Sequence, residues 1–75
     1  MDILELYYLI LIEVRDKGLN IKNKPVIPNI RKDIRSYIEE MLYKGLITNK
    51  SDKITLTKKG YEFIYSYERF LALKS

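Results

Sequence analysis

The chain is expected to fold as a mainly helical α+β domain: three main helices plus a small β-hairpin. Three observations predict this. Residues 44–64, KGLITNKSDKITLTKKGYEFI, pack a helix stop, two alternating β-branched runs and a new helix start into 21 positions. Apolar residues at helical spacing fill the segments before and after that stretch. The whole chain is 75 residues with 47% hydrophobic side chains, enough for one folded domain and too apolar for a disordered tail.

The first helix is expected over residues 2–17. Asp2 can cap it and Gly18 can stop it. From Ile3 to Val14 it has almost no polar face, and a helix apolar all round must be covered all round. A domain of this size covers one side most easily. The other side, with Leu4, Tyr7, Tyr8 and Leu11, is expected to meet a second copy of the chain. The alternative is a central helix wrapped by its own domain.

Residues 18–28, GLNIKNKPVIP, are expected to form a loop, a short strand or a turn. Pro25, Pro28 and two asparagines oppose a long helix here. A single helical turn starting near Pro25 is compatible with the sequence, because proline is tolerated at the first helical position.

The next helix is expected over residues 29–44. Ile30, Ile34, Ile38, Met41 and Leu42 make one apolar stripe. Asn29, Lys32, Ser36, Glu39 and Tyr43 lie opposite, with Arg31 and Arg35 along one edge. Its first half is cationic and its second half carries Glu39 and Glu40. Arg35 and Glu39 stand at i,i+4, the spacing of a helical ion pair.

Gly45 is the natural stop, since glycine takes the left-handed conformation cheaply. Residues 46–57 then read as a hairpin: Leu46-Ile47-Thr48 and Ile54-Thr55-Leu56-Thr57 alternate, and Asn49-Lys50-Ser51-Asp52-Lys53 between them is turn chemistry. Thr57 stands where an N-cap belongs. The last helix is expected over residues 58–74, with one stripe of Tyr61, Ile64, Tyr65 and Leu71 and an offset stripe of Phe63, Tyr67 and Phe70.

Charge is uneven along the chain. Residues 20–60 hold ten Lys/Arg against four Asp/Glu, a surplus of +6, while residues 1–19 sum to −2 and residues 61–75 to zero. A surplus of one sign concentrated in one segment is the electrostatic footprint of a nucleic-acid binder. The bland alternative is a solvated surface whose lysines guard strand edges.

Several function classes are excluded or disfavoured. There is no cysteine and no histidine, hence no disulfide or thiolate chemistry, and neither the usual general base nor the commonest metal ligand. Glu39 and Glu40 are adjacent and diverge by about 100° on a helix, so they cannot share a substrate atom. No glycine-rich phosphate loop is present. No enzyme activity, cofactor, metal or small-molecule ligand is therefore expected. Ile3–Val14 is too short to span a bilayer and carries two glutamates. With no membrane association and no secretory signal expected, the location expected is the cytoplasm, on the nucleoid.

The KGLI segment, the short hairpin with a basic tip, and the closing LTKKG before an aromatic-aliphatic helix resemble the winged helix-turn-helix family, especially small archaeal and MarR-like regulators. The resemblance implies a winged-helix fold in which residues 46–57 are the wing and residues 29–44 the recognition helix. It also implies that Leu19-Asn20-Ile21 is a short strand pairing with the wing. Where that family carries a second helix, the prolines leave it short or degenerate. The terminal helices would build a dimer interface, adding Phe63, Tyr67 and Phe70 to the first-helix residues above.

The function that follows is a homodimeric regulator of transcription acting on double-stranded DNA. Asn29, Arg31, Lys32, Arg35 and Ser36 are the candidate base readers, because arginine pairs bidentately with guanine and asparagine with adenine. Lys50, Lys53, Lys58 and Lys59 on the wing, and Lys22 and Lys24 before the helix, are the candidate phosphate contacts. Two other readings share the fold: a protein-interaction module, and a sequence-indifferent chromatin protein.

Overall fold

Asp2 starts the first helix by accepting from the Leu4 amide at 3.1 Å, and Gly18 closes its end on the Glu13 and Val14 carbonyls. The computed structural model describes residues 2–20 and 33–74. Over these the order is α1 (Ile3–Asp16), β1 (Leu19–Asn20), α2 (Arg35–Lys44), β2 (Ile47–Lys50), β3 (Lys53–Leu56) and α3 (Lys58–Lys74). The three strands form one antiparallel sheet in the order β1-β3-β2. The described part is thus three helices with a small sheet, a mainly helical α+β fold.

β3 is the centre of the sheet. It pairs with β1 through Leu19↔Ile54 and Asn20↔Lys53, and with β2 from Ile47↔Leu56 to Lys50↔Lys53. The hairpin turn is therefore only Ser51-Asp52, not the five residues 49–53 expected. Both turn residues have positive φ, 51° and 66°. That is the backbone of a two-residue type I′ hairpin, whose twist matches that of the strands.

α2 begins at Arg35, with Asp33 and Ile34 outside the helix. An unbroken helix from residue 29 is therefore not what the described residues show. The physical reason is local: the Asp33 carboxylate accepts from the Arg35 amide at 3.0 Å, the kind of bond that starts a helix rather than continues one. At the other end Gly45 sits at φ 78°. Its amide bonds to Leu42 O at 3.1 Å and the Leu46 amide to Met41 O at 3.0 Å. This is a full Schellman motif, and Met41 and Leu46 meet in the core as its apolar pair.

The core gathers one face of each element. Ile10, Leu11, Ile34, Met41 and Ile54 are its fully buried members, joined by Leu6, Tyr7, Val14, Leu46, Ile47 and Ile64. The apolar side chains of α1 are covered mainly by its own domain: Tyr8, Leu9 and Ile12 are half-buried, and of its apolar residues only Ile3 and Leu4 at its start are well exposed. The alternative of a wrapped central helix thus describes α1 better than a helix split between two copies. Tyr7 and Leu11, at 4% and 0% exposure, are spent on the chain's own core and have no surface for a second copy.

Candidate nucleic-acid interface

The hairpin is held at its root by Thr57, through two bonds to the segment that follows α2 and one to the start of α3. The Thr57 hydroxyl donates to Gly45 O at 2.6 Å and accepts from the Gly60 amide at 3.1 Å. The Thr57 amide donates to Leu46 O at 3.2 Å. Thr57 thus caps α3 while tying it to the end of α2. Gly60 is buried, and a Cβ on it would run into the Leu46 carbonyl oxygen. The KGLI and LTKKG segments are therefore two sides of one junction.

At the turn end of the hairpin Lys50 and Lys53 stand directly opposite each other across the ladder, both exposed, with Lys53 also paired to Asn20 of β1. Like charges in that relation cost stability. Lys58 and Lys59 are exposed at the start of α3. Lys59 is partly committed: its ammonium donates to the Lys44 carbonyl at 3.0 Å. A cation there satisfies an orphan acceptor and complements the negative end of the α2 dipole.

Arg35 and Ser36 lie in the first turn of α2, both exposed. Arg35 pairs with Asp33, not Glu39: Nη2 is 2.6 Å from Oδ2, and Nε lies 3.1 Å from each carboxylate oxygen. The carboxylate raises the guanidinium's pKa still further. Asp33 escaped the sequence reasoning, although its place two residues ahead of a helical Arg35 is the spacing of a capping side chain. The outward face of α2 holds Ser36, Glu39 and Tyr43, the last 92% exposed. Lys44 near its end pairs with Glu40, Nζ to Oε1 3.3 Å. Lys22, Lys24, Asn29, Arg31 and Lys32 lie outside the described residues.

Beside the Glu40–Lys44 pair sits Tyr7, whose buried hydroxyl has no partner in full hydrogen-bonding geometry among the described residues. Burial first, then the nearby Glu40 carboxylate, raises its pKa. In return the Tyr7 hydroxyl, and after it Lys44, holds the Glu40 carboxyl below its ordinary value.

On another side α1 and α3 build an aromatic run. Tyr8 packs against Tyr67 with ring centres 4.6 Å apart and planes tilted by 37°, and its hydroxyl donates to Glu68 at 2.9 Å. Phe63 and Phe70 flank Tyr67 at 6.4 and 6.2 Å. Leu4, Phe63, Ser66, Tyr67 and Phe70 line a shallow apolar groove of about 220 Å³. Tyr61 and Tyr65, from the other expected stripe of α3, are exposed, while Ile64 between them is buried.

No helix among the described residues is long and apolar enough to cross a membrane. No group of three or more metal-ligating side chains occurs among them either. The model of a family described as winged helix-turn-helix matches residues 29–75, more than half of the chain. No curated protein and no solved structure matches it.

Proposed function

The chain belongs to the winged helix-turn-helix family, and on that footing we propose that it is a homodimeric regulator of transcription acting on double-stranded DNA. The family assignment points to DNA binding, and such domains are typically non-enzymatic. The observation that carries the reading is the Lys50–Lys53 pair at the tip of a firmly rooted hairpin. An arrangement that costs the free protein stability is repaid when a phosphate lies between or beside the two ammonium groups.

In this reading the first turn of α2 enters the major groove, with Arg35 and Ser36 at the base edges and Asn29, Arg31 and Lys32 just before them. Lys50, Lys53 and Lys58 grip the neighbouring backbone. Lys59, Lys22 and Lys24 add to the same field. Leu4, Phe63, Tyr67 and Phe70, with Tyr8 behind them, meet their counterparts in a second copy. A two-fold dimer then calls for half-sites about one DNA turn apart, roughly 34–36 Å or a multiple. The protein would act in the cytoplasm, on the nucleoid.

If each protomer neutralises about six phosphates, log affinity falls against log salt with a slope near −5 per protomer. Electrophoretic shift titrations at about 50 and 200 mM salt test this. Binding that barely changes between them would remove the assignment.

A second reading, a protein-interaction module, draws on the outward face of α2, where Glu39 and exposed Tyr43 follow Ser36. That face suits a protein partner better than a polyanion. Arg31→Glu with Lys32→Glu separates the two: it abolishes DNA binding in the first reading and leaves partner binding intact in the second.

A further inference from the structure

The Asp33 carboxylate holds Arg35 at two points. Its Oδ1 accepts from the Arg35 amide at 3.0 Å. It also takes the guanidinium along one edge, through Nε at 3.1 Å to each oxygen and Nη2 at 2.6 Å to Oδ2. A guanidinium offers five N–H donors in one rigid plane. The Nε edge is occupied, so the donors left over are both Nη1 hydrogens and the second hydrogen of Nη2. One hydrogen from each Nη forms an end-on fork, the partner of two adjacent acceptors. In the major groove guanine presents that pair, N7 and O6, whereas adenine puts a donor where O6 stands.

The same contact changes what Arg35 does as a charge. The Arg35–Asp33 pair is electrically neutral, and the carboxylate repels a phosphate brought to its side. The guanidinium is thereby a poor backbone clamp but keeps its directed donors. Both side chains are more than half exposed, 68% and 53%, so the fork is accessible.

We propose that Arg35 reads a guanine base and that Asp33 is the positioning residue that turns a flexible cation into an oriented two-donor fork. This inference rests on the DNA-binding reading above and adds to it the base read and the residue that orients the reader.

The experiment starts with the wild-type chain selecting duplexes from a randomised pool. In the selected duplex each guanine is then replaced in turn by adenine, with its pairing partner, and affinity is measured by fluorescence anisotropy over a salt series. For wild type, one replacement is expected to cost at least about tenfold, the size of one good bidentate contact. In Arg35→Ala that penalty shrinks to less than about twofold while the salt slope stays unchanged, as for a base contact rather than a phosphate contact. Arg35→Lys keeps the charge and loses the fork, so it loses the discrimination as well. Asp33→Asn keeps an oxygen for the Arg35 amide, and its circular dichroism melt checks that α2 is retained. Its discrimination falls toward that of Arg35→Ala and its salt slope steepens by about 0.9, one additional phosphate.

The proposal is overturned if no replacement matters to the wild type, or if Arg35→Ala keeps the penalty. It is also overturned if Arg35→Ala only lowers the slope, which marks a phosphate clamp, or if Asp33→Asn discriminates as well as wild type. Wild-type protein that binds no duplex at about 50 mM salt overturns the DNA-binding reading itself. That result differs from the others, all of which are seen with wild type bound.

Discussion

The Thr57 hydroxyl donates to the Gly45 carbonyl at 2.6 Å and accepts from the Gly60 amide at 3.1 Å. One side chain thus closes α3, satisfies a carbonyl just past the end of α2 and fixes where the hairpin ends. Thr57→Ala removes both bonds and leaves a half-buried carbonyl without its partner. A loss of about 1–2 kcal/mol is expected, which lowers Tm by roughly 4–8 °C for each kcal/mol. Thr57→Ser keeps the hydroxyl and retains most of that stability. Thermal melts of the two variants make the check.

Gly60→Ala decides between two opposing effects. In an exposed helix the change gains up to about 1 kcal/mol. Here the new methyl meets the Leu46 carbonyl, and Leu56 Cδ2 is already 3.1 Å from where it would sit. A backbone oxygen that also receives the Thr57 amide cannot step aside cheaply. Overpacking of this kind costs about 1–3 kcal/mol. The expected sign is therefore destabilising, and urea denaturation reads it directly.

The wing lysines and Lys59 are expected to part company. Lys50→Met or Lys53→Met relieves a like-charge pair, so stability rises by about 0.2–1 kcal/mol while DNA affinity falls and the salt slope flattens by about 0.9. Lys59→Met withdraws a cation from the end of α2 and lowers stability by about 0.3–1 kcal/mol. Paired melting and binding titrations show whether the two measurements move in opposite directions at the tip and together at Lys59.

Glu40 sets part of the acid limit. Its carboxyl is held below the usual 4.5 by the Tyr7 hydroxyl and then by Lys44. A carboxyl whose folded pKa is depressed gives stability that is complete above its unfolded value and disappears as pH falls through the folded value. The wild type should therefore lose stability more steeply than Glu40→Gln as pH falls below about 4.5. Tyr7→Phe should shrink the difference. Denaturant midpoints across that range give the comparison, and parallel curves would refute it.

The proposed dimer depends on the groove where Leu4 and Phe70, each about half exposed, meet. Phe70→Glu places a charge in that apolar contact. If Phe70 is a central anchor worth about 2 kcal/mol or more, the dimer dissociation constant rises by at least roughly 30-fold. Sedimentation velocity should then find monomer at concentrations where the wild type is dimeric, with the helical circular dichroism signal unchanged.

What could be read from the sequence was what acts within a few residues. Gly45 announces a left-handed stop and Thr57 a cap, because backbone conformation and capping chemistry are local. The contact between them is not local, so the crossing of α3 over Leu46, and with it the need for glycine at position 60, has no signature in the order of residues. Lys59 is equally opaque: its bond to the Lys44 carbonyl spans 15 positions. In the hairpin, five consecutive turn-forming residues left the loop length open, and pairing of β2 with β3 as far as Lys50↔Lys53 reduces it to Ser51-Asp52. Arg35 had carboxylates available on both sides in sequence. The helix start at Arg35 decides for Asp33, which lies outside the helix and can fold back onto it. The apolar girth of α1 suggested a partner chain, yet the sheet, α2 and α3 cover most of it.

The hairpin is anchored at its base by Thr57 and further out by β1, which pairs with Ile54 and Lys53, so only its reach beyond Lys50 and Lys53 is independent of what holds it. Each strand advances about 3.4 Å per residue and alternates faces every residue. Adding two residues to each strand beyond Lys50 and before Lys53 would push the tip outward by roughly 7 Å with every inward side chain still facing inward. Adding one to each would turn the tip over instead. Arm length is thus an adjustable dimension of this scaffold, open to variation without disturbing the joint that supports it.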